Sequence, residues 1–254
     1  MSLHRDTFTS FDGTRLAVTT LGDGPPVLLL HGLFSSAEVN WVRYGAAQAM
    51  ADAGHRLILP DLRAHGGSEA PLDSSRYPTD VLAMDAEALV GALGLGPDLV
   101  IGGYSLGART TARLLARGKV RAKAAILSGM GLTGLTGGEA RGAFFIRMIE
   151  GAGSWVRGQP EFMAEAFMKA NVAEPAAIVH LLRSQVNTPR EALERIDLPV
   201  AIICGEADRD NGSAADLAGV LPNARLIEVP GNHMSAVTTP AFGRALVGAL
   251  SALS

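Results

Sequence analysis

The chain has 254 residues, with 22 Lys and Arg against 25 Asp and Glu and a formal charge of −3. It therefore carries no field that would draw phosphate backbones or anionic lipid, and neither nucleic acid nor a membrane is an expected partner. A hydrophobic fraction of 48% and a charged fraction of 19% describe a packed globular protein. With Cys204 as the single cysteine there is no internal disulfide and no cysteine-rich metal site. No window nears the roughly 18 apolar residues of a spanning helix, and the first residues lack the basic start and apolar run of a leader, so a cytoplasmic location is expected.

In chain order, Phe8 to Phe11 and Leu16 to Thr20 flank Asp12-Gly13, a hairpin signal, so the sheet is expected to open with an antiparallel pair. An apolar run, Val27 to Leu30, leads into His31-Gly32-Leu33-Phe34 and a helical stretch from Val39 to Ala53. The run Arg56 to Leu59 leads into Asp61-Leu62-Arg63-Ala64-His65-Gly66-Gly67-Ser68, and a second helix is read over Thr79 to Leu93. Leu99 to Ile101 precedes Gly103-Tyr104-Ser105-Leu106-Gly107, with a helix over Leu106 to Arg117 and another apolar run at Ala124 to Leu127. From Gly131 to Arg195 no strand-like run occurs; short helices broken at Gly151 to Pro160 and near Pro175 and Pro189 are expected instead. The bulky members of this stretch, Phe144, Phe145, Met148, Trp155, Phe162, Met163, Phe167 and Met168, are expected to divide between a small core of their own and the lining of a pocket. Val200 to Ile203, a helix over Ser213 to Val220, Arg225 to Val229 and a helix over Ala241 to Leu253 complete the chain.

These runs are too short for core helices and too continuously apolar to alternate, the pattern of parallel strands covered on both faces. Helices of crossover length separate them. The expected fold is therefore α/β: a mostly parallel central sheet of about eight strands, helices on both faces, and a helical cap insertion. Core segments 1–130 and 196–254 would flank the insertion, 131–195.

The pentapeptide around Ser105 sits between a strand and an Ala-rich helix, where a sharp turn lifts a nucleophile above the sheet and small neighbours let strand and helix approach. Taken alone it also reads as a Gly-rich loop with an N-capping serine; its placement favours the elbow. A serine hydroxyl needs a base within reach, and His233, in Pro230-Gly231-Asn232-His233-Met234 after the last strand, is the candidate at the carboxyl edge of the sheet. His4, His55 and His180 are more simply surface or structural residues. The histidine in turn needs a carboxylate. Gly205-Glu206-Ala207-Asp208-Arg209-Asp210 follows the neighbouring strand; Asp208 is the choice and Asp210 the runner-up, since Asp210-Asn211-Gly212 suits the turn into the next helix.

Charge developing on a substrate oxygen calls for preorganised amides. The N–H of Leu106 at the start of a helix is one, and the N–H of Leu33 after His31-Gly32 is expected to be the second. His31 itself is taken as shaping that loop.

Together, His31-Gly32 after a strand, the Asp61 to Ser68 loop, the Ser105 elbow and the late acid and histidine resemble the α/β-hydrolase superfamily over nearly the whole chain outside Gly131 to Arg195. The Asp61 loop is similar to the family's Asp-x-Arg-Gly-x-Gly-x-Ser, with Ala64 where the family commonly has Gly, a change expected to alter packing and not chemistry. The resemblance implies a structural role for His65, an insertion whose apolar underside covers the substrate pocket, and no metal or organic cofactor. Serine at the elbow separates the chain from the epoxide hydrolases and haloalkane dehalogenases, which use aspartate there. It points to cleavage of a small-molecule ester or related acyl substrate, with carbon-carbon hydrolysis, lactone opening, perhydrolysis and a non-catalytic binding role as alternatives. Oligomeric state stays open.

Overall fold

The strands of the centre are apolar at nearly every position because both of their faces are covered, and alternate residues of one strand feed two separate cores. Leu28 and Leu30, Ile101, Ala125 and Leu127, and Val200 and Ile202 pack on one side. Val27 and Leu29, Val100 and Tyr104, Ala124 and Ile126, and Ala201 and Ile203 pack on the other. This is why the sequence shows continuous apolar runs rather than alternation.

A computed structural model describes residues 2–253; Met1 and Ser254, the outermost residues of the predicted segments, lie outside the described residues. In chain order the elements begin with β1 (His4–Thr9), β2 (Arg15–Leu21) and β3 (Pro26–Leu30). There follow α1 (Ala46–Asp52), β4 (Arg56–Pro60), α2 (Val81–Ala92), β5 (Val100–Tyr104), α3 (Leu106–Arg117) and β6 (Ala124–Ser128). The insertion carries α4 (Leu132–Thr136), α5 (Glu139–Glu150), α6 (Pro160–Asn171), α7 (Pro175–Arg183) and α8 (Arg190–Leu193). The chain then returns through β7 (Val200–Gly205), α9 (Ala214–Val220), β8 (Ala224–Val229) and α10 (Pro240–Ala252).

The sheet has eight strands in the order β1-β2-β4-β3-β5-β6-β7-β8. Only β2 runs against its neighbours, β1 and β4; every other pairing is parallel. From β3 the chain steps to β4 on one side and then to β5 on the other, which makes the carboxyl ends of β3 and β5 the switch point where open α/β sheets form a crevice. Register places Leu30 beside Gly103, so the loops after these strands emerge together.

Two expectations need correction. The helix predicted over Val39 to Ala53 is two elements: a wide π-type turn at Glu38–Val42, and α1, which begins only after Gly45 at φ 81° breaks the chain direction. Phe11 is not in the first strand, which instead reaches back to His4. Gly13 N–H closes a turn onto the Ser10 carbonyl, and the Arg63 guanidinium lies 5.5 Å from the centre of the Phe11 ring, so the turn claims this residue.

The prolines of the insertion start helices rather than merely ending them. Pro160 and Pro175 stand at the first positions of α6 and α7, where a missing N–H costs no hydrogen bond, and Pro189 caps α8. Of the bulky insertion residues, Met148 and Met168 are buried in the core that contains α2 and α3, while Phe144, Phe145, Met163 and Phe167 line a cavity above the switch point.

Candidate active site

Ser105 sits between the last residue of β5 and the first of α3, with φ 51° and ψ −108°, a backbone conformation that L-residues avoid and that survives only where surroundings enforce it. The enforcing contacts are backbone ones. A Cβ on Gly103 would meet the Gly107 carbonyl carbon at 2.3 Å, and one on Gly107 would meet the Leu30 oxygen at 1.9 Å, so strand and helix approach as only glycines allow. The Ser105 amide donates to the Ser128 carbonyl at 2.9 Å, which fixes the turn to β6.

The structure brings Ser105, Asp208 and His233 together from three separate loops. Ser105 Oγ lies 3.0 Å from His233 Nε2, and His233 Nδ1 lies 2.8 Å from Asp208 Oδ2. With a carboxylate at Nδ1, the neutral ring carries its proton there and presents Nε2 as an acceptor to the hydroxyl. Asp208 and His233 are buried, whereas Ser105 keeps partial access to the cavity. Burial alone would raise the Asp208 carboxyl, but the His233 hydrogen bond and the Asp210 amide bring it below the ordinary carboxylate value, so it is held ionised. Asp210 is exposed and instead pairs with Arg141 at 3.0 Å.

The loop after β3 is the second wall of the site. Ser35 N–H donates to the Gly32 carbonyl, and Phe34 takes φ 58°, so a tight turn leaves the Leu33 amide without an acceptor among the described residues. The Leu106 amide, at the first position of α3, is likewise free of one. Both residues line the cavity with Ser105, and a Cβ on Gly32 would lie 3.7 Å from that of Ser105. Gly32 N–H is held by Asn40 Oδ1 at 2.8 Å.

Two buried histidines brace this loop rather than acting as bases. His31 Nε2 accepts from the Leu62 amide at 2.9 Å, and His65 Nε2 accepts from the Phe34 amide at 3.1 Å, while their Nδ1 atoms face the Gly32 and Arg63 carbonyls. Burial lowers His31 to about 4, against a hydrogen bond to the Gly32 carbonyl that raises it; burial and the neighbouring His31 lower His65 to about 3. Ala64, between them in sequence, takes φ 65°, which explains why glycine suits that position. Its loop still closes, with Asp61 accepting from Ala37 and Gly67 amides at 2.7 and 2.8 Å.

Sequence reasoning missed three neighbours of the site. Tyr104 Oη donates to the His233 carbonyl at 2.5 Å, and its ring packs 5.4 Å from the imidazole, so the residue before the nucleophile also steadies the histidine loop. Burial and the Asp208 carboxylate push the Cys204 thiol up to about 12, which keeps it a neutral hydrogen-bond donor to that acid. Arg109, one turn beyond Ser105 on α3, lines the cavity. Tyr104 and Arg109 stood in plain view at positions −1 and +4 from Ser105, but only their partners give them meaning. Among the described residues no group of three or more His, Cys, Asp or Glu converges as a metal site.

The cavity measures about 1290 Å³ and is mostly apolar, with α5 and α6 as its roof and Ser105 and His233 at its floor. No helix among the described residues is long and apolar enough to cross a membrane.

A sequence model for the alpha/beta hydrolase fold matches residues 25–167. An epoxide hydrolase of Caballeronia sordidicola is 38% identical over 91 residues, 36% of this chain and 27% of that protein. The matches cover less than a third of the length of the epoxide hydrolases concerned. A Synechocystis protein provisionally named a non-heme chloroperoxidase is 27% identical over 83% of this chain and 85% of its own. Among solved structures, a thermophilic esterase from Thermogutta terrifontis superposes with a TM-score of 0.79 at 22% identity, covering 98% of this chain and 99% of the esterase, a likeness of fold.

Proposed function

The chain belongs to the alpha/beta hydrolase fold family, whose sequence model covers more than half of it, and from that premise we propose that it is a serine hydrolase cleaving carboxylic esters of small molecules through an acyl-enzyme. The observation that carries this reading is the unbroken relay from Ser105 Oγ through His233 to Asp208, at 3.0 and 2.8 Å, on the floor of an apolar cavity.

In the proposed reaction Ser105 Oγ attacks the ester carbonyl as His233 Nε2 takes its proton, and Asp208 stabilises the imidazolium. The Leu33 and Leu106 amides receive the oxyanion; being unengaged beforehand, they need no rearrangement to do so. His233 then returns the proton to the departing alcohol, and water, activated by the same nitrogen, releases the acid. No resident metal or cofactor is part of this scheme, and the expected partner is a small acyl compound.

The epoxide hydrolase relatives raise a second reading. That branch is similar to part of this chain but uses an aspartate as nucleophile, and position 105 is serine, so epoxide opening by the same route lacks its attacking carboxylate. Carbon-carbon hydrolysis, lactone opening and perhydrolysis use the same three residues and differ in substrate. A fluorophosphonate probe is expected to label the native protein and not Ser105→Ala; an unlabelled native protein would favour a binding role. Turnover of short 4-nitrophenyl esters, set beside lactones and a dienone, then tests the ester assignment, which activity confined to the dienone would defeat.

A further inference from the structure

Helix α3 carries arginines at 109, 113 and 117, each about one turn beyond the last on the helix face that begins at Ser105. Arg113 is paired with Asp80 at 2.5 Å and Arg117 with Glu87 at 2.6 Å. Arg109, nearest the nucleophile, has no such partner. Among the described residues its guanidinium donates only to two neutral oxygens, the Gly134 carbonyl and Asn187 Oδ1, the latter at 2.7 Å. The Glu139 carboxylate is reached only through the Asn187 amide, which donates to it.

This cation is also drawn out of water: burial lowers its proton affinity from the ordinary guanidinium value. The other arginines of the cavity have acids of their own, Arg141 with Asp210 at 3.0 Å and Arg183 with Glu150 at 3.2 Å. A half-buried cation with no acid in contact, Glu139 and Asp80 acting on it only at a distance, is left short of counter-charge, and Arg109 lines the same cavity as Ser105.

We infer that Arg109 is the recognition site for a carboxylate on the substrate. The inference rests on the serine-hydrolase reading and deepens it. The substrate class is an acyl compound with a free acid on its acyl chain, because Arg109 and the nucleophile line one cavity from successive turns of the same chain segment. The planar fork of a guanidinium fits a carboxylate through paired N–H groups, and only two of its nitrogens are engaged by protein.

The test compares mono-4-nitrophenyl adipate, which carries a free acid at the far end of its acyl chain, with its neutral match, methyl 4-nitrophenyl adipate. The whole enzyme is expected to favour the acid ester by about 10- to 100-fold in kcat/KM, mostly through KM. Arg109→Gln brings that ratio to near one, and Arg109→Lys, which keeps the charge but not the fork, retains part of it. If Arg109→Gln fails to fold, the Lys variant and the native ratio decide. A native enzyme indifferent to the charge would overturn the inference. So would equal losses on both esters with the ratio preserved, which would make Arg109 a strut holding the Gly134 segment. Fluorophosphonate labelling keeps the two readings apart. Labelling at Ser105 without preference for the acid ester overturns the role of Arg109 alone; no labelling and no turnover of either ester overturns the serine-hydrolase reading and this inference with it.

Discussion

The choice between two aspartates two positions apart turns on what each one touches. Asp208 has one carboxylate oxygen on His233 and the other on the Asp210 amide at 3.0 Å. Asp210 is exposed and spends its side chain on Arg141. Replacing Asp208 by Asn keeps the shape but offers an N–H where the ring needs an acceptor, which favours the wrong tautomer. Asp208→Asn is therefore expected to lower kcat about a thousandfold to ten-thousandfold with little change in KM, and Asp210→Asn less than about tenfold. The reverse ranking in steady-state kinetics would assign the acid to Asp210. The sequence made Asp208 legible because its offset from Gly205 puts it past the strand and before the helix. It did not reveal Arg109, since an arginine on a helix reads as solvated until the acids that pair its neighbours, and not it, are seen in space.

At the level of elements, the parallel strands were readable to within a few residues because two-sided burial leaves an apolar run bounded by Gly, Pro or Asp. The stretch from Val39 to Ala53 was not, because its composition is helical throughout and one left-handed glycine, Gly45, decides the break. The loop from His31 to Phe34 was predicted as an amide donor, but what holds it was hidden: two neutral imidazoles, 5.1 Å apart, each accept from a backbone amide of the other's loop. This arrangement fixes a pH dependence. Unfolded, both histidines bind protons near 6.5; folded, they resist until about 4 and about 3. Between those values the unfolded chain holds more protons, so stability is full above pH 6.5 and is lost as the pH falls. Urea unfolding is expected to show a loss on the order of 4 kcal/mol between pH 7 and pH 5, about 2 kcal/mol from each ring. Flat stability over that interval would mean that the two rings are protonated or solvent-exposed in the native state.

For the whole molecule the question is whether the insertion folds with the sheet or rides on it. Leu135, Met148, Ile149, Met168, Ile178 and Leu181, all from the insertion, belong to the same buried cluster as Leu28, Ile101 and Leu127 of the sheet. Hydrogen bonds cross the junction as well, with Asp80 N–H donating to the Ser184 carbonyl at 3.0 Å and Arg113 donating to the Asn187 carbonyl at 3.2 Å. A roof fastened in this way cannot open without exposing core, so the two parts should melt in one cooperative transition. The two tryptophans report on the two parts. Trp41 is fully buried against Phe242 on the face of the sheet away from the insertion. Trp155 lies within the insertion, its indole N–H on the Met148 carbonyl at 2.8 Å. In Trp155→Phe the remaining fluorescence follows the sheet, and in Trp41→Phe it follows the roof. Within each variant the fluorescence midpoint in urea is expected to coincide with that of far-ultraviolet circular dichroism, whatever the variant's own stability. A Trp155 signal that changes well before the dichroism would show the roof unfolding alone, and access to the cavity would then be governed by local opening of the insertion.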